Sequence, residues 1–177
     1  MIRLQSYLQG QWREGTGEGA TLVDPATGEP VATTSTKDLD LAGAVRHARE
    51  VGGPALRAMT FAERGALLKK MSKALHAARE ELIADSIRNA GTPRSDAKFD
   101  IDGATGTLAY YARLGKTLGD RTYLVEDEGE QLTQSKRFWG HHVKLPLRGV
   151  AVHVRCTDSE LRQLLTKPLC HVRLPNV

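Results

Sequence analysis

The sequence predicts a mixed α/β chain: a strand pair, then a block of consecutive helices, then further strands. Three observations carry this. Turn residues crowd into "DPATGEP" between the short runs "TLV" and "VATT". From Thr60 to Gly91 apolar residues recur at helical spacing. Near the other end, "GVAVHV" places β-branched residues at alternate positions just after Pro146 and Gly149. The helices follow one another directly, so the chain does not read as a regular βαβ alternation.

Taken in order, "YLQGQWREGTGEGATLV" is strand and turn material, and "DPATGEP" reads as the turn of a hairpin. Pro25 presets its own φ and Gly28 supplies a positive one. "STKDLDLAGAVRHAREVGGP" is a helix with Ser35 or Thr36 as cap and a stripe of Leu41, Val45 and Ala48; Gly52, Gly53 and Pro54 are expected to stop it. Thr60 and Glu63 form a capping box, because each can satisfy the other's free backbone N–H. Leu67, Leu68, Met71, Leu75, Ala78, Leu82 and Ile83 hold one face of the run that follows, which is expected to break near Glu80. Gly91 is a suitable residue just past the end.

"RSDAKFDIDGATGTLAYYARLG" is a third helix despite Gly103 and Gly106, each costing about 1 kcal/mol against Ala. The pattern of Leu108, Tyr110, Tyr111 and Leu114 favours close packing of another element against those glycines. The carboxylates of "DAKFDID" fall at several helical phases, which suits a solvated face rather than a catalytic dyad. Beyond Gly115 a long polar loop is expected, with a strand at "TYLVE". "WGHHVKLPLRGVAVHV" offers two more strand-like runs, with His141 and His142 on opposite faces of one.

Composition narrows the function. The chain has 177 residues, 40% hydrophobic and 26% charged, with aromatics at only 5%, so its core must come from aliphatic side chains. The net charge of +4 is spread out, and the densest basic runs, "LLKKMSK" and "SKRFWGHHVK", are too short for a nucleic-acid footprint. No run approaches the ~18 apolar residues of a membrane span, and "MIRLQSYLQG" lacks the apolar centre of a signal peptide. A cytoplasmic protein with free thiols is therefore expected.

No residue stands out as catalytic, cofactor-binding or metal-binding. His153 and Cys156 have the H-x-x-C spacing, but Cys170 and His171 are adjacent and converge poorly on one metal ion. In a strand, His153 and Cys156 point to opposite faces, which argues against a nucleophile–base pair. There is no G-x-G-x-x-G and no P-loop motif. "GTGEG", Gly15 to Gly19, precedes a strand and reads as a turn rather than a phosphate cradle.

The order of "YLQGQW", "DPATGEPVATTS", "DLAGAVRHAREVGGPALRAMTFAERGALLKKMSKAL", "NAGTPRSDAKFDIDGATGTLAYYARLG" and "HVKLPLRGVAVHV" resembles the N-terminal part of the aldehyde dehydrogenase superfamily. "GGPALRAMTFAERGALL" and "DIDGATGTLAYYARLG" look most like the branch that handles CoA-linked semialdehydes in aerobic aromatic degradation, the 3,4-dehydroadipyl-CoA semialdehyde dehydrogenase type. The resemblance implies a truncated form of that fold: a strand pair, a helical block, oligomerisation-type strands and, at Gly149 to Val154, the first strand of the cofactor domain. It also implies the family reaction, NAD(P)-dependent oxidation of an aldehyde by a cysteine thiolate through a thioester, which water activated by a glutamate releases.

The family's Asn-Phe-Pro loop, whose Asn helps to hold the oxyanion, falls here on Asp158, Ser159 and Glu160. An ionised Asp158 would repel that charge. The cofactor turn, general base and nucleophile have no counterpart, and "PLCHV" around Cys170 does not match the family's cysteine motif. Residues 1–154 are therefore expected to be family-like and 155–177 a divergent tail, as a frameshifted or truncated gene would produce. Set against the resemblance, the missing motifs lead to the expectation of a chain without dehydrogenase activity of its own and with no retained NAD(P); spacing, charge and hydropathy give the expectation of no metal, nucleic-acid or membrane site. Its expected partners are a second copy of itself or a full-length homologue, met through uncovered apolar surface.

Overall fold

The computed structural model describes residues 1–126 and 128–152. The first layer is strand and turn. β1 (Ile2–Arg3) pairs in parallel with β5 (Pro30–Thr34), which pairs antiparallel with β4 (Ala20–Val23). β2 (Ser6–Leu8) and β3 (Gln11–Arg13) form a separate hairpin, on which Tyr7 and Trp12 sit directly opposite with ring centroids 5.1 Å apart. The β4–β5 turn forms as predicted. Gly28 adopts φ +75°, and the Asp24 carboxylate accepts from the backbone N–H of Ala26 at 2.8 Å.

Five helices follow: α1 (Leu41–His47), α2 (Gly53–Ala58), α3 (Phe61–Ala77), α4 (Arg79–Ala90) and α5 (Arg94–Leu118). The α1 cap is Asp40, which accepts from Gly43 N–H at 2.7 Å, so Ser35 and Thr36 do not serve. Ser35 is used elsewhere, donating to the Thr16 carbonyl at 2.8 Å. Gly52, Gly53 and Pro54 do not stop the helix either. A π-helical turn over Ala48–Gly52 joins α1 to α2, and both glycines keep right-handed helical angles. Pro54 is in the first turn of α2 and directly follows the π-helical turn, whose Ala48 carbonyl accepts from Gly53 N–H. The chain turns extended only at Met59, just ahead of the α3 cap.

The Thr60–Glu63 capping box forms in full, with Thr60 N–H donating to Glu63 at 2.8 Å and Glu63 N–H to the Thr60 hydroxyl at 3.2 Å. The expected break falls at Ala78, and Gly91 ends α4 in the left-handed region at φ +65°. α5 then runs for 25 residues without interruption. It is the spine of the molecule: Ala97, Ile101, Ala104, Leu108 and Ala112, spaced three or four apart, are all buried against α3 and α4. Ile83 of α4 packs with Ala97 and Ile101, flanked by Leu82 and Ile87.

At Gly106 the expected close approach does not occur. A Cβ added to Gly106 would meet nothing within 4 Å. Instead Gly65 of α3 lies against Gly115 of α5: a Cβ on Gly65 would stand 2.7 Å from the Ala112 carbonyl oxygen, and one on Gly115 2.6 Å from that of Phe61. Beside this crossing the Arg64 guanidinium lies 4.8 Å from the Phe61 ring centroid. Its Nε and Nη2 are buried without a hydrogen-bond partner, and that desolvation lowers its pKa.

After α5 come four two-residue strands: β6 (Leu124–Val125), β7 (Glu130–Gln131), β8 (Trp139–Gly140) and β9 (Val143–Lys144). β6 pairs with β9 and β7 with β8, both antiparallel, so the segment folds back as an interrupted ribbon. His141 and His142 link β8 to β9 rather than sharing a strand, which removes the expected two-face alternation. Residues 149–152 carry no strand, and Val152 is 77% exposed. A parallel strand exists only when paired, and no partner for it occurs among the described residues. The proposed boundary at 154/155, with His153, Cys156, Asp158, Ser159, Glu160, Cys170 and His171, lies outside the described residues.

Candidate functional site

A groove lies between α3 and α5. Its volume is about 530 Å³, and its chemistry is set by Ser72, His76, Arg79, Lys98 and Asp102. Ser72 projects from α3 and donates to the Thr105 carbonyl at 2.9 Å. This bond ties the two helices together on the groove floor, beside the buried Thr105. Thr105 in turn donates its hydroxyl to the Asp102 carbonyl at 3.0 Å, within its own helix.

Arg79 opens α4 and reaches across to Asp102 of α5. Its Nε donates to Oδ1 at 2.6 Å and its Nη2 to Oδ2 at 2.8 Å, the two-pronged geometry that suits guanidinium and carboxylate. Its Nη1 holds Glu80, whose other oxygen accepts from Arg94 at 2.5 Å. Asp102, Arg79, Glu80 and Arg94 thus form an alternating ladder of charge. The hydrogen bond from Arg79 holds the Asp102 carboxyl below the usual carboxylate range, with Lys98 and His76 adding attraction. Arg94 does the same for Glu80, and Asp102 raises the Arg79 pKa.

A carboxylate held anionic by a two-pronged partner is a poor proton acceptor near neutral pH. The arrangement therefore supports charge pairing between helices, not acid–base work. Sequence reading put Asp102 on a solvated face. The structure makes it the half-exposed partner of a guanidinium 23 positions earlier in the chain, and no local pattern announces a pair so distant in sequence.

The glycine-rich "GTGEG" loop does not fit a dinucleotide phosphate. A Cβ on Gly15 would fall 2.2 Å from the Ser35 carbonyl oxygen and one on Gly19 2.2 Å from that of Thr34, so the loop is packed on its own sheet. Arg3 fills its inner side, donating to the Gly15 and Gly17 carbonyls at 2.6 and 2.8 Å. Among the described residues no three His, Cys, Asp or Glu side chains gather as metal ligands, and no helix is long and apolar enough to cross a membrane.

The strand pair, the long paired helices and the ribbon reproduce the order of elements that the resemblance implied, and comparison with known proteins decides the family. A family model described as "Aldehyde dehydrogenase family" matches residues 12–144. The chain belongs to the aldehyde dehydrogenase family.

Among its curated relatives is 3,4-dehydroadipyl-CoA semialdehyde dehydrogenase of Aromatoleum evansii, 44% identical over 153 residues, which are 86% of this chain and 30% of that protein. A putative aldehyde dehydrogenase from Burkholderia cenocepacia superposes with a TM-score of 0.58 at 27% identity, covering 75% of this chain and 26% of that one. Proline utilization A from Bdellovibrio bacteriovorus shares the fold alone, with a TM-score of 0.70 at 16% identity over 97% of this chain and 17% of that one. This aldehyde dehydrogenase family chain thus spans about 30% of the length of the first of these relatives.

Proposed function

We propose that this chain supplies the N-terminal scaffold of an NAD(P)-dependent aldehyde dehydrogenase that acts on a CoA-linked semialdehyde, and that the 177-residue polypeptide alone does not oxidise aldehydes. The 44% identity to 3,4-dehydroadipyl-CoA semialdehyde dehydrogenase over most of the chain carries the substrate reading. The absence of activity is supported by chemistry. Both cysteines, Cys156 and Cys170, lie outside the family's cysteine motif, and Asp158 stands where the family's oxyanion-holding Asn belongs. Residues 1–154 are the family-like unit and 155–177 the divergent tail, and the setting is the cytoplasm.

The test is spectroscopic. Purified chain, given a CoA-linked semialdehyde with NAD+ or NADP+, is expected to form no reduced nicotinamide, and formation of it overturns the second half of the proposal. A chimera carrying residues 1–152 on the remaining part of the Aromatoleum evansii relative is expected to oxidise the CoA-linked substrate. A chimera that oxidises only free aldehydes overturns the first half.

One observation favours association as the role of the separate polypeptide. The β7–β8 hairpin leaves Leu132, Phe138 and Trp139 about three-fifths exposed, at 61%, 60% and 58%. Exposed aromatic surface of this kind favours a protein partner. A second copy or a full-length homologue is the partner we propose.

A further inference from the structure

We draw no further inference here: the strongest candidate, the groove between α3 and α5 lined by His76, Arg79, Lys98 and Asp102, belongs to the site already described, and its guanidinium is already taken by Asp102 and Glu80.

Discussion

Gly65 and Gly115 face each other across the α3–α5 crossing with no room for a methyl group on either: a Cβ on Gly115 would come within 3.0 Å of the Gly65 Cα. The contact is backbone against backbone, so no flexible side chain can swing away to relieve it. Two helices that meet this closely gain dispersion contacts along their whole length. The crossing also brings Ser72 within hydrogen-bonding distance of the Thr105 carbonyl.

Gly65→Ala and Gly115→Ala are each expected to destabilise the chain by about 1–3 kcal/mol, the usual cost of overpacking. Gly106→Ala has open space and a helical backbone, so it is expected to stabilise by about 1 kcal/mol. Urea unfolding of the three variants reads the difference directly. A destabilised Gly106→Ala or an unaffected Gly115→Ala would place the close contact elsewhere.

Thr60→Ala removes half of the capping box at the start of α3 and is expected to cost about 1 kcal/mol. Thr60→Ser keeps the accepting oxygen and is expected to cost much less. Thermal unfolding followed by circular dichroism separates the two, and equal losses would show that the threonine methyl matters rather than the cap.

Asp102 makes stability depend on acid. Its folded pKa lies below the unfolded value near 4, so the pair stabilises the chain above that value and the contribution is lost as pH falls through the folded pKa. Asp102→Asn lacks the contribution at every pH. The stability gap between wild type and Asp102→Asn is expected to be constant above about pH 5 and to close below about pH 4. Because Asp102 is 41% exposed, water weakens the pair and the gap is modest. A gap that persists unchanged at low pH would mean that packing, not charge, is what Asn disturbs.

Phe138→Ser with Trp139→Ser is expected to shift the chain toward monomer without lowering its thermal stability, since both side chains are exposed and contribute little to the core. Light scattering across a concentration series measures the change. Identical mass-against-concentration curves for variant and wild type would remove the ribbon as the associating surface.

Much of the fold was legible because its signals are local. The Asp24–Gly28 turn needs a positive φ that only glycine adopts freely, and the Thr60–Glu63 box and Gly91 mark helix ends through hydrogen bonds a few residues long. Legibility failed where local and tertiary demands differ. Gly52, Gly53 and Pro54 look like a stop, yet a π-helical turn carries the chain through them with both glycines at right-handed helical angles. Leu41, Val45, Leu67 and Met71 keep helical spacing but are exposed in this chain, because periodicity shows that a face is apolar and not what covers it.

The sequence by itself determined the family and the order of elements, through motifs whose physics acts over a few residues. Only the tertiary structure decided that Gly65 meets Gly115 while Gly106 stands open, and that Asp102 is clamped by Arg79. Those are contacts between side chains and backbones 23 or more positions apart, fixed by the crossing of α3 and α4 over α5, and chain-local propensity carries no information about such a crossing.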